Sequence, residues 1–409
     1  MKKLVALALL AFAPGCEKPS PAVVRGECGE TFGAHASFAL DPVALRKQGA
    51  SPKLLEKMAS SPYAYFRALA RPYELRACAA FRDERARLPM VAVHGDAHIE
   101  QFVVTPTTAA LEDFDQSGFG PAIVDLVRYS SSIHLACKNV QFACNPNRVV
   151  AAYLAAYRDA LDHAPVREPV TVVERLRHET SAEPGPWLAW AQGLMHPLSP
   201  ADEARAREGW KEFQRSEAAI HADRPAAYYD LVRVGAIQIG VGSALETKLL
   251  FRLRGPTDDP NDDRIVEARS GGPDPDKDCI ARPLHGGTLQ PLFFMALLGP
   301  RMPEIYGFAS LGGASTEYWL QSWVPGYREL AVGDLQTEKE LVELAQDAAR
   351  QLAGHFWAKF PEPLRAVQRR AQLIAFDATQ GRVDVLAREL ALETLREWER
   401  FRVAARAQP

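Results

Sequence analysis

The chain has 409 residues, 47% hydrophobic and 24% charged, enough apolar surface for two or three packed domains or one large two-lobed unit. A formal net charge of −3 offers no basic footprint, which excludes nucleic acid as a partner class.

Lys2 and Lys3 precede an apolar run over residues 4–13, closed by Ala13-Pro14-Gly15-Cys16. That run falls short of the roughly 20 residues a bilayer takes, so residues 1–16 read as a cleavable signal peptide. A cysteine directly after small residues is similar to a bacterial lipoprotein box. The resemblance implies acylation of Cys16 and a membrane-anchored protein facing the periplasm or cell exterior; simple secretion is the other reading. Residues 17–40 read as a tether and N-terminal arm. Export permits disulfides. Cys137 with Cys144 could close a small loop and Cys28 with Cys78 could staple the arm, with free buried thiols as the open alternative for each pair.

Residues 41–164 predict one lobe. Asp41-Pro42 reads as a cap with proline at the first helical position. A short helix over 53–58 follows, and Ser61-Pro62 opens another, with Tyr65, Phe66, Leu69 and Ala70 as its apolar stripe beside Arg67. Between 88 and 115 two buried strands deliver polar residues at their ends, His94-Gly95-Asp96 after the first and Asp113-Phe114-Asp115 after the second. Rigid strand ends facing a wet loop suit catalytic carboxylates. A helix over 121–136 turns Ile123, Leu126 and Val127 inward and leaves Asp125 and Arg128 for polar contacts. Asn147 reads as the cap of an amphipathic helix over 149–161.

Residues 165–227 form a charged helical layer broken by Pro184, Pro186, Pro197 and Pro200. Residues 228–325 change to a small β-rich lobe: apolar runs over 231–253 around Gly235, Gly240 and Gly242, an acidic turn over 256–263, and strands over 265–268 and 316–324. Pro260 and the lack of a closing glutamate make the acidic turn a solvated loop rather than a calcium site. Residues 326–409 carry two long amphipathic helices, over 338–360 and 383–404.

His94-Gly-Asp96-Ala-His98-Ile-Glu-Gln101 resembles the His-Gly-Asp-x-His-x-x-Asn loop of aminoglycoside and choline kinases, in the protein-kinase-like superfamily. More closely, Ser61-Pro-Tyr-Ala-Tyr-Phe-Arg67, Gly95-Asp-Ala-His98, Asp113-Phe-Asp115 and Gly240-Val-Gly-Ser243 are together similar to the bacterial family catalogued as domain of unknown function 2252, in order over residues 54–355. The resemblance implies an α/β, two-lobed kinase-like fold. It also implies circular permutation, because the glycine stretch follows the catalytic loop. Residues 228–324 would be the small lobe, 318–324 its hinge, and Leu352-Ala-Gly-His355 would lie on a helix that ordinary kinases place before the catalytic loop.

The implied activity is Mg²⁺-dependent transfer of phosphate from ATP to a small hydroxylated or amino substrate. Asp96 would orient and deprotonate the acceptor, while His94 and Asp125 hold the loop. Asp113, Asp115 and the Gln101 carbonyl would take the metal, and Gly240, Gly242, Ser243 and Lys248 the phosphates. Two departures stand out. Gln101 replaces the usual asparagine, and Val266 stands where the related family carries a phosphate-clamping lysine, with Lys248 or Arg269 as substitutes. Two rival readings are a degenerate kinase-like binding lipoprotein and a metal-dependent hydrolase built on His94-x-Asp96-x-His98. His98 reads as structural. Arg67 reads as a contact to an anionic group or to the aspartates. Trp319, Trp323, Trp357 and Trp398 read as packing aromatics.

Overall fold

The N-terminal helices start where local chemistry fixes them. α1 (Pro42–Lys47), α2 (Pro52–Ser60) and α3 (Pro62–Arg67) each begin on a proline, and the side chains of Asp41, Ser51 and Ser61 accept from the N–H groups of Val43, Leu54 and Ala64. The cap satisfies a donor that the first turn leaves open, and the proline has no donor to lose. The computed structural model describes residues 36–163, 166–179, 183–221, 223–224, 226–237, 248–270, 279–282, 288–311, 317–358 and 360–407. Cys16, Cys28, Gly240, Gly242 and Ser243 lie outside these.

After α4 (Ala70–Ala80) come four short strands, β1 (Met90–Val93), β2 (Phe102–Val104), β3 (Ala109–Leu111) and β4 (Gly118–Pro121). β1 pairs antiparallel with β4, and β2 with β3, so the two strands expected over 88–115 are three. α5 (Ile123–Asn139) is buried along most of its length. α6 (Pro146–Asp162) is capped by Asn145 with Pro146 at its first turn; Asn147, expected as the cap, is already helical.

α7 (Thr171–Glu179), α8 (Pro184–Gly193) and α9 (Pro200–Ile220) form the charged helical stretch. The β-rich part is one antiparallel sheet of β5 (Leu231–Ile237), β6 (Lys248–Leu253), β7 (Arg264–Ser270), β8 (Tyr306–Ser310) and β9 (Glu317–Ser322), in the order β5-β6-β7-β9-β8. α10 (Leu289–Leu298) lies between β7 and β8 in the chain. The acidic turn satisfies itself: Asp263 accepts from Arg252 and from the Gly255 N–H. β10 (Arg328–Glu329) then pairs with β2, carrying the chain back to the short strands. α11 (Glu338–Ala358) and α12 (Leu364–Arg406) end it; the helix expected to begin at 383 starts at Leu364. The described residues thus form a mixed α/β fold of twelve α-helices and three antiparallel sheets. None of these helices is long and apolar enough to cross a membrane.

Each face of the five-stranded sheet has its own cover. α9 packs Trp210 and Phe213 onto Phe251, Val266 and Leu320, with Trp210 and Phe251 stacked at 4.7 Å. On the opposite face α8 packs Trp187, Leu188 and Ala191 onto Ile237, Leu250 and Ile265. Because side chains alternate along a strand, Glu267 and Arg269 share the Ile265 face. Position 266 therefore points under α9, and a lysine there would lie in the core beneath Trp210. Cys137 bonds to Cys144, as the spacing allows. Cys78 bonds to Cys279, which overturns its expected pairing with Cys28: folding brings α4 beside the segment that leads into α10.

Candidate functional site

The loop after β1 hangs from one carboxylate. Gly95 has φ +83°, and a Cβ there would lie 2.1 Å from the Gln116 carbonyl oxygen, so only glycine makes this turn. Asp125, in the first turn of α5, accepts the His94 N–H at 2.7 Å and the Gly95 N–H at 2.8 Å. Burial pushes its carboxyl above the ordinary value, partly countered by His94 and these two donors. The His94 ring locks the other side. Its Nδ1 accepts from the Asp96 N–H at 3.3 Å, so Nε2 carries the proton and donates to the Glu112 carbonyl at 2.8 Å.

Asp96 is buried and held from two directions. Arg128 donates from Nε and Nη2 to Oδ1, at 2.9 and 2.6 Å. Oδ2 faces the Gln101 amide at 3.3 Å and His98 Nε2 at 3.8 Å. The Arg128 guanidinium lies 3.7 Å from the Phe66 ring centre and 4.8 Å from that of Tyr73, a desolvated stacking site that lysine would not fill equally. Arg128 thus serves Asp96 rather than Asp125. His98 packs edge-on to Tyr63 and Phe66. Burial, with the charges of Arg67 and Arg128, pushes its imidazole well below the usual value, so it is neutral. Arg67 pairs with Glu100 at 3.1 Å, not with the aspartates. Among the described residues no group of three or more His, Cys, Asp or Glu is arranged to hold a metal, and both His94 nitrogens are committed to backbone groups.

Asp113 follows β3 in the left-handed region, φ 71° and ψ 64°, a conformation that costs a side-chain-bearing residue about 1–3 kcal/mol. It accepts from Arg269 Nη1 at 2.5 Å, with Asp115 Oδ2 3.6 Å from the same nitrogen. Arg269 Nε donates to Glu267 at 2.9 Å, and the Trp323 indole donates to the other Glu267 oxygen at 2.9 Å. Lys248 is the cross-strand neighbour of Arg269 and is buried. Burial acts to raise the Asp113 carboxyl, but Arg269 and Lys248 outweigh it and hold it well below the usual carboxylate range. The same two cations outweigh burial at Glu267.

These groups border a cavity of about 610 Å³. Gln101, Glu112 and Asp113 line it from the loops, Glu267 and Arg269 from β7, Trp187 and Trp190 from α8, and Trp323 and Tyr327 from the segment after β9. Trp323 is therefore a wall of the cavity, not only a packing residue; its ring lies 5.8 Å from Trp190 and nearly parallel to Tyr327. Asp96 and Lys248 are not among the lining residues. Glu112 is a site residue that the sequence reading passed over. Burial, and next the Asp113 charge, push its carboxyl up to about 7.

Residues 46–185 match the family described as "Uncharacterized protein conserved in bacteria (DUF2252)". That span carries His94, Asp96, Gln101, Asp113, Asp115, Asp125 and Arg128. It ends within α8, before the five-stranded sheet that supplies Arg269. No curated protein and no solved structure matches the chain.

The DUF2252-matching segment and the sheet thus bring together Asp113, Asp115, Gln101, Arg269 and Lys248, with Asp96, His94 and Asp125 behind them. The arrangement can fix a carboxylate by two-point contact, keep Asp113 ionised, and present a guanidinium to an anion. Sequence reasoning did not find the Arg128–Asp96 pair or Glu267. Strand alternation counted from Ile265 was the available signal for Glu267 and Arg269; no sequence signal linked Arg128 to Asp96.

Proposed function

We propose that the protein is a kinase-like phosphotransferase that passes phosphate from a nucleotide to a small hydroxylated or amino substrate. One observation carries this reading: Arg269 of the sheet and Asp113 of the loop, both lining the cavity, pair at 2.5 Å. Each is the counter-charge the other would need when the cavity is filled. A polyphosphate is the natural partner for Arg269 and Lys248, and its cation the natural partner for Asp113.

The donor set fits magnesium. Asp113, Asp115 and the Gln101 carbonyl are hard oxygen ligands, and Mg²⁺ commonly takes one or two carboxylates beside phosphate oxygens rather than a full protein cage. When bound, the ion would supply neutralising charge to the phosphates. Asp96 Oδ2 would accept the proton of the substrate hydroxyl, because Oδ1 is already fixed by Arg128. Asp125 and His94 keep that carboxylate in place through the loop backbone. The sheet order also supports the reading: hairpin β5–β6 is where a kinase carries its glycine loop, β7 bears the cation, and α10 follows it. Since this sheet comes after the Asp96 loop in sequence, the kinase-like fold would be circularly permuted. Cys78–Cys279 and Cys137–Cys144 support an exported protein, consistent with an acylated Cys16.

A second reading, a binding protein without turnover, is favoured by α8. It covers the Ile237, Leu250 and Ile265 face of the sheet, apolar ground beside the cavity that a nucleobase would otherwise use. Calorimetry of the full chain with ATP and Mg²⁺, with Asp113→Ala as control, separates the two. Saturable binding that needs both metal and Asp113 supports phosphotransfer. Absence of binding at millimolar nucleotide overturns it and leaves the binding protein.

A further inference from the structure

Three aromatic rings gather on the cavity wall, and the chain is built to hold two of them parallel. Val324-Pro325-Gly326-Tyr327 closes a turn in which the Tyr327 N–H donates to the Val324 carbonyl at 3.0 Å, and Gly326 takes φ +74°. Proline in second place and a left-handed glycine in third make this a type II turn, which sets Tyr327 at a fixed angle to Trp323. Trp323 is itself held at two points. Its backbone N–H donates to the Ile265 carbonyl of β7 at 2.8 Å, and its indole N–H donates to Glu267 at 2.9 Å. The Trp323 and Tyr327 rings lie within 12° of parallel, their centres 6.3 Å apart. Trp190 of α8 lies 5.8 Å from Trp323 at 32° to it and remains 50% exposed.

A flat ring laid parallel on either Trp323 or Tyr327 is parallel to both, the arrangement in which aromatic groups stack. A cation would also favour a ring face, but the surrounding charge does not draw one. Among the described residues five cationic side chains line the cavity against four acidic ones, and one of the four, Glu112, is pushed up to about 7. Glu267 joins the rings to the anion-binding end: one of its oxygens takes the Trp323 indole and the other takes Arg269 Nε, each at 2.9 Å. A ligand that stacks on Trp323 and carries phosphates therefore has Arg269 one carboxylate away. Building on the phosphotransfer reading, we propose that Trp323 and Tyr327, with Trp190 at the rim, are the platform on which the base of the donor nucleotide stacks. The base lies there in place of the apolar sheet face that α8 covers. α8 then does not block the nucleotide; it brings Trp190 to it.

Calorimetry of the full chain with Mg²⁺ and, in turn, ATP and inorganic tripolyphosphate tests the platform, because the two ligands share the phosphates and differ by the nucleoside. Stacking predicts that ATP binds roughly 10-fold or more tighter. Tyr327→Leu should remove most of that advantage while holding tripolyphosphate within about twofold. Tyr327→Phe, which keeps the ring, should retain the advantage, and the thermal midpoint checks that both variants fold. ATP, and not tripolyphosphate, should quench tryptophan fluorescence. Equal affinity for the two ligands in the native chain, or a folded Tyr327→Leu chain that loses both alike, overturns the platform and leaves phosphotransfer standing. Failure of both ligands to bind overturns phosphotransfer and the platform with it. Quenching by tetramethylammonium in place of ATP also overturns the platform, because the rings would then hold a cation.

Discussion

Replacing Asp125 by alanine tests the loop suspension most directly. Asp125 is 5% exposed and accepts two buried backbone donors at 2.7 and 2.8 Å. Each hydrogen bond to a charged acceptor is worth about 1.5–3 kcal/mol, giving roughly 3–6 kcal/mol for the pair. Burial of the ionised carboxyl opposes this, as its raised pKa indicates, so the expected net loss is about 2–4 kcal/mol. Urea denaturation at pH 7 would report it as a lower midpoint with an unchanged slope. Asp125→Asn should lose about half as much, since its amide oxygen keeps one donor while its NH₂ faces the other. A midpoint for Asp125→Ala within about 0.5 kcal/mol of the native chain would refute the reasoning. The His94 and Gly95 donors would then have other partners, and the loop would not depend on α5.

Glu112 should impose a pH dependence of its own. Its carboxyl titrates at about 7 in the fold against an ordinary value near 4.5, so between those values the native state holds more protons than the unfolded chain and stability falls as pH rises. Glu112→Gln should match the parent at pH 4 and exceed it by about 1–3 kcal/mol at pH 8; parallel denaturation curves across that range would contradict this. Arg269→Met leaves Asp113 and Glu267 with Lys248 as the nearby cation and Trp323 as a donor to Glu267, and should cost about 2–4 kcal/mol at pH 7. Because Arg269 depresses the Asp113 carboxyl, the stability it confers is present above the ordinary carboxylate range and lost as pH falls. The gap in stability between parent and variant should therefore close as pH falls below the ordinary carboxylate range, and a gap that stays constant in acid would refute the pairing. Cys279→Ser should lower the thermal midpoint through a loss of about 2–5 kcal/mol, with Cys78 then available to a thiol reagent; a Cys78 that stays blocked would mean another partner.

What could be read from sequence was what neighbours decide. The caps at Asp41 and Ser61 need only the next few residues, and each starts its helix as expected; Ser51 caps the helix between them, which starts at Pro52 rather than at 53. The turn into α6 misled because Asn145 and Asn147 flank the same proline, and only the residue before it can cap. Register within a strand was legible in principle: counting from Ile265 sends Val266 to the core and Arg269 to the cavity, so a missing lysine at 266 says little about cavity charge. Long-range pairing was not legible. Arg128 lies close to Asp125 in sequence yet serves Asp96 and the Phe66 carbonyl, because the fold sets its guanidinium against the Phe66 and Tyr73 rings. Trp323 resembled any strand-end aromatic until α8, from a separate stretch, brought Trp190 against it. The start of α12 was missed because both its sides are apolar, which blurs the single-faced pattern by which a surface helix is recognised.

The Cys78–Cys279 bond bears on the order of assembly. Synthesis delivers Cys78 before its partner by 201 residues, and Cys137 and Cys144 appear in between. An oxidant that joined cysteines as they emerged would make Cys137–Cys144 correctly and would mispair Cys78. The native bond must therefore wait until the five-stranded sheet has begun to dock, or be reached by reshuffling over seconds to hours with an isomerase. Its presence in a purified chain would certify that the late-synthesised half had already found the early one.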